Sequence, residues 1–148
     1  MSGHLTAWAF VLALGCAGTA EPGAGSHRKL TRADLGLVFS TVDEAAKAGC
    51  AYIWKREWRA KRIEYCGVVY RDSQGIKAGL PETNWEEGHC LCPFEPPGTE
   101  AEACYHNHKQ SEDFSFADRI NPTLLLVYLC APSGLVKLRT PEGTVIVK

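Results

Sequence analysis

Two imidazoles and a carboxylate lie close together in this chain: His106, His108 and Asp118, in the pattern H-x-H-x6-S-x2-D with Ser115 at its third fixed position. Side chains two apart on an extended strand leave the same face, so His106 and His108 can aim at one point without strain. Serine caps helices well, and a helix opening at Ser115 would present Asp118 from its first turn. Two nitrogens and a carboxylate oxygen form the donor set of a catalytic zinc site, which uses three protein ligands and keeps a fourth position for water. The expectation is a Zn2+ ion held by His106, His108 and Asp118.

Hydrolysis at such a centre needs an acid/base group near the activated water, and Glu64 is the candidate. In Glu64-Tyr65-Cys66-Gly67-Val68-Val69, strand alternation puts Glu64 on one face with Cys66, Val68 and Tyr70. A lone carboxylate among apolar neighbours is destabilising unless it is paired, which argues for a working role. In this scheme Glu64 takes a proton from water and returns it to the leaving amine. Ser115 donates its hydroxyl to the developing oxyanion, an effect worth a few kcal/mol.

Three rival assignments for nearby residues are weaker. The letters H-N-H at 106–108 are no nuclease signature, because the HNH residues lie far apart in sequence. His89, Cys90, Cys92 and Cys104 have the donors of a structural zinc knot, but an oxidising compartment favours disulfides. Cys66 or Cys104 as a His-activated nucleophile lacks an orienting partner, and cystine formation would silence either one.

The elements that must position these groups follow from pattern. Thr41-Val42-Asp43-Glu44 is a capping-box start, and residues 43–62 carry helical character with Ala46, Cys50, Ile53 and Trp54 at helical spacing. The cations Lys55, Arg56, Arg59, Lys61 and Arg62 at its far end suit the C-terminal dipole of a core-packing helix. Residues 63–71 read as a strand, Asp72 to Gly75 as a turn, and residues 76–80 as a hairpin partner. Residues 81–100 are loop-like, with disulfides needed to tie down so long an irregular stretch. Residues 101–108 resume as the strand carrying the histidines, and residues 115–120 open a short helix. Residues 123–131 form a nearly continuous apolar strand, and residues 135–139 and 144–148 close a β-meander.

The chain has 148 residues, enough for one domain, and a formal charge of −1 that gives no reason to expect nucleic-acid binding. Residues 7–20 are apolar, too short to span a bilayer, and end in small residues, so residues 1–20 read as a signal peptide and 21–39 as a flexible linker. Lipoprotein attachment through Cys16 is the lesser alternative. The mature chain would carry no transmembrane helix and would be periplasmic or secreted. Removing Cys16 with the leader leaves Cys50, Cys66, Cys90, Cys92, Cys104 and Cys130, an even set that implies disulfides. Cys90 and Cys92 are expected to pair outward, with the pairing otherwise open.

Glu64 in an E-x-x-G strand followed by H-x-H-x6-S-x2-D resembles the signature of the JAMM (JAB/MPN) metalloprotease superfamily. The stretches DEAAKAG, EYCGVVYRDSQG, ACYHNH, FSFAD and YLCAPSGLVKL look like a bacterial JAB-related domain found at the ends of polymorphic toxins. The likeness covers roughly residues 40–140. It implies His106, His108 and Asp118 as zinc ligands, Glu64 as acid/base and Ser115 as oxyanion stabiliser. Many such proteins have Pro after the second histidine and seven residues before the serine, where this chain has Lys109 and six.

The fold expected is a single α/β domain over residues 40–148. A mixed, mostly antiparallel sheet is flanked by a long N-terminal helix and a short one, in JAB/MPN-like, cytidine-deaminase-like layering. The function expected is an exported zinc-dependent hydrolase of peptide or isopeptide bonds acting on a protein or peptide, with a bacterial partner protein as a further possibility. The alternative is a non-catalytic secreted interaction module, toxin-associated or immunity-type, that keeps the fold.

Overall fold

The computed structural model describes residues 31–57, 59–85, 90–120, 123 and 125–148. These residues form one α/β domain around a six-stranded mixed sheet. The first 20 residues, read as a signal peptide, lie outside the described part. Part of the stretch read as linker is built into the domain. Helix α1 (Arg32–Leu35) buries Leu35, and Phe39 makes a β-bridge to Ile76.

Helix α2 (Val42–Arg56) starts where Thr41 accepts the Glu44 N–H at 3.1 Å, and it buries Ala45, Ala46, Gly49, Cys50 and Ile53 against the sheet. It stops six residues short of the run with helical character. The chain turns instead through Ala60, whose N–H bonds to the Glu57 carbonyl and whose side chain is 2% exposed. Burial of this corner under the sheet outweighs the helical propensity of the basic run.

Strands β1 (Cys66–Asp72), β2 (Gly75–Ala78), β3 (Glu100–Asn107), β4 (Leu126–Cys130), β5 (Val136–Thr140) and β6 (Gly143–Ile146) are ordered β2-β1-β3-β4-β5-β6. Every pairing is antiparallel except β3 with β4. A parallel neighbour needs a crossover, and it includes α3 (Phe116–Ile120).

Alternation divides the sheet into two faces. Val69, Ala103, Tyr105, Tyr128 and Cys130 join the core under α2. Val127 and Leu129 form a second cluster with Phe114. Tyr105 fits because glycines flank it: a Cβ at Gly49 or Gly67 would lie 2.4 or 2.1 Å from its ring.

Three disulfides close the fold: Cys50–Cys130, Cys66–Cys90 and Cys92–Cys104. Cys90 and Cys92 pair outward, as their spacing requires. The first bond fastens α2 to β4. The other two fasten the 90–92 segment to β1 and β3 on the opposite face. This density of cystines fits an oxidising, extracellular type of environment. No helix among the described residues is long and apolar enough to cross a membrane.

Candidate metal centre

His106 and His108 leave β3 and its end on the same face, and both are 6% exposed. Asp118 arrives from the first turn of α3, where Ser115 and Asp118 cap each other. The Ser115 N–H and hydroxyl both donate to Asp118 Oδ2, at 2.7 and 2.6 Å, and the Asp118 N–H donates back to Ser115 Oγ at 3.2 Å. Arg139 of β5 donates to the Asp118 backbone carbonyl, which anchors α3 to the sheet.

The three side chains meet. Nε2 of His106 lies 3.2 Å from Nε2 of His108 and 3.3 Å from Asp118 Oδ1, while His108 Nε2 lies 3.1 Å from Asp118 Oδ2. Among the described residues this is the cluster that could hold a metal ion.

The donor chemistry tests the fit. His108 Nδ1 lies 2.9 Å from the Asp113 carbonyl oxygen, which only accepts, so Nδ1 carries a proton. In the neutral ring, Nε2 then presents a lone pair to a carboxylate and to a second imidazole nitrogen. Acceptors converging in this way need a cation or an added proton. A tetrahedral site with ligand atoms about 2.0–2.1 Å from the ion separates them by about 3.3 Å, close to the 3.2 Å between the two histidine nitrogens, while the two Asp118 oxygens each approach a different histidine. The carbonyl that orients His108 is an outer contact typical of metal-binding histidines.

The charges carry the same signature. Burial disfavours the His108 imidazolium, but its hydrogen bond to Asp118, the charges of Asp118 and Glu64, and the Asp113 carbonyl together raise its pKa above 6.5. Burial works against the Asp118 carboxylate too, yet hydrogen bonds from both histidines hold its pKa well below the ordinary range.

Glu64 precedes β1, is 9% exposed, and lines the same cavity as His106, His108, Ser115 and Asp118, a space of about 910 Å³. It makes no hydrogen bond or ion pair among the described residues, although its charge reaches His108. The cavity therefore holds, beside the His-His-Asp cluster, a buried carboxylate without a hydrogen-bond partner among the described residues. Ser115 is exposed at the same cavity, with its hydroxyl engaged by Asp118.

Three contributors were not evident from the residue pattern. The Asp113 carbonyl is a backbone group in a loop, held by Lys137 to the Asp113 carboxylate at 2.7 Å and by Glu112 to Ser133. Arg139 is distant in sequence. Asn107, 0% exposed between the two histidines, faces away from them and binds the segment that carries Glu64. Its one sequence signal was an asparagine within a predicted strand, where that residue is disfavoured.

The rival assignments fail on connectivity. Cys90, Cys92 and Cys104 are committed to disulfides and cannot ligate zinc as a knot; His89 lies outside the described residues. Cys66 and Cys104 are likewise cystines and no nucleophiles.

Comparison with protein-family models, with curated proteins and with solved structures returns no match for this chain.

Proposed function

We propose that this protein is a zinc-dependent hydrolase of peptide or isopeptide bonds, of JAMM type and exported. One observation carries the reading: one ligand atom each from His106, His108 and Asp118 lies within 4.8 Å of the others, beside a buried Glu64 that has no partner among the described residues. The sequence resemblance predicts the same four residues together with Ser115. A helix on one sheet face and the site on the other is compatible with JAB/MPN-like layering.

Two imidazoles and one carboxylate, with a second contact orienting His108, suit zinc better than the all-oxygen preferences of magnesium or calcium. A zinc ion held there supplies Lewis acidity, which lowers the pKa of water toward about 7 and polarises an amide carbonyl. Glu64 accepts the proton of the attacking water and delivers it to the departing amine nitrogen. Ser115 turns its hydroxyl from Asp118 toward the carbonyl oxygen as charge develops, while its N–H keeps Asp118 in place. The cystines and the residue 7–20 segment support export.

Elemental analysis of protein expressed in an oxidising compartment tests the proposal. One zinc per chain is expected, absent in His106→Ala and Asp118→Ala. Glu64→Gln should keep the metal and lose hydrolysis of a peptide or isopeptide library. Folded protein without zinc, or unchanged turnover in Glu64→Gln, overturns it.

A further inference from the structure

The cavity on the sheet face that carries the histidines is lined by the cystine-tied segment around Leu91 and by residues of α3. Leu91 sits between Cys90 and Cys92. Cys90 is bonded to Cys66, the β-partner of His106, and Cys92 to Cys104, two residues before His106 on β3. Its backbone is thus covalently pinned on both sides to strands that carry the site.

Leu91 nevertheless remains 74% exposed, so it adds little to the core. Ile120, at the end of α3, lines the same cavity and is 60% exposed, while Val127 lines it as a buried member of the second core cluster. Apolar side chains left in water yet held in place need little further ordering when a ligand covers them.

We propose that the cavity takes an extended polypeptide segment with a bulky apolar side chain next to the scissile amide, and that Leu91 is the specificity-determining contact. The inference rests on the hydrolase reading above. An acidic segment is the competing occupant, because Lys61, Arg62 and the half-buried Lys109 also line the cavity. Lys61 and Arg62 are exposed, and exposed charges are weakened by water and salt. The pinned Leu91 favours the apolar occupant.

The test uses fluorescently labelled, end-capped hexapeptides with Leu, Ser or Glu at a central position. Binding is read by anisotropy on the Glu64→Gln protein as isolated, with its zinc content measured. The Leu peptide should bind about tenfold tighter than the Ser peptide, or more. Leu91→Ser, a change at an exposed position, should shrink that margin to about twofold. Equal binding, absence of binding by all three, a preference unaffected by Leu91→Ser, or a Glu preference lost in Lys61→Gln/Arg62→Gln overturns the proposal. The two readings fail separately. A Leu91-dependent preference in a protein without zinc or turnover removes only the hydrolase. Wild-type hydrolysis indifferent to the central residue removes only the apolar site.

Discussion

The side-chain oxygen of Asn107 accepts the backbone N–H of Tyr65 at 2.7 Å, which ties the strand of both histidines to the residue after Glu64. The same amide donates from Nδ2 to the carbonyls of Ala60 at 2.8 Å and Ile63 at 3.4 Å. The Asn107 N–H in turn donates to the Tyr65 carbonyl at 3.2 Å. A single buried side chain therefore sets where the Glu64 segment lies relative to His106 and His108.

Replacing Asn107 by Ala leaves the Tyr65 N–H and the Ala60 carbonyl without their partner in a closed interior. The expected loss is about 2–4 kcal/mol in urea denaturation. Zinc content should survive, because no ligand is touched, while Glu64-dependent turnover falls. An Asn107→Ala protein of wild-type stability would contradict the positioning role.

Ser115→Ala separates two roles for this hydroxyl. Without it, Asp118 Oδ2 keeps the backbone N–H but loses its shortest hydrogen bond. Zinc affinity, measured by competition with a chelator, should weaken about 10- to 100-fold. Unchanged affinity with reduced turnover would confine Ser115 to the oxyanion.

The pH dependence of the metal-free protein follows from the His108–Asp118 pair. His108 has a folded pKa above its unfolded value, so its contribution is complete below about 6.5 and fades as pH rises through the raised value. Asp118 has a lowered pKa, so its contribution is present above the ordinary 3.8 and fades as pH falls below it. Thermal unfolding after chelation should therefore be most resistant between these limits. Zinc competes with the His108 proton, so its affinity should climb across the alkaline limb and restore the lost Tm. A Tm that is flat from pH 6 to 9 without metal would rule out this coupling.

The disulfides should rank by the length of chain they close. Chain entropy gives about 4.5 kcal/mol for Cys50–Cys130 at a separation of 80, about 3.4 for Cys66–Cys90 at 24, and about 2.8 for Cys92–Cys104 at 12. Paired Cys→Ala variants followed by urea denaturation check the order. Cys50 and Cys130 lie in the main core, so their removal adds a packing loss to the entropic one. The two shorter bonds should affect peptide binding more than global stability.

Much of this was readable from local rules. Period-two spacing placed His106 and His108 on one face of β3, and the Ser115–Asp118 offset placed the carboxylate on the first turn of α3, because both relationships span only a few residues. The capping residue Thr41 marked the start of α2, and the six cysteines beyond Cys16 implied disulfides. Other features needed the folded chain. The end of α2 at Arg56, the choice of cystine partners, the β3–β4 parallel pairing and the Asn107 anchor depend on residues far apart in sequence. Their energies come from burial and from hydrogen bonds formed only after the sheet assembles. Sequence alone determined the donor set; only tertiary structure decided that it converges, that Glu64 lines the same cavity, and that Leu91 is pinned at its side.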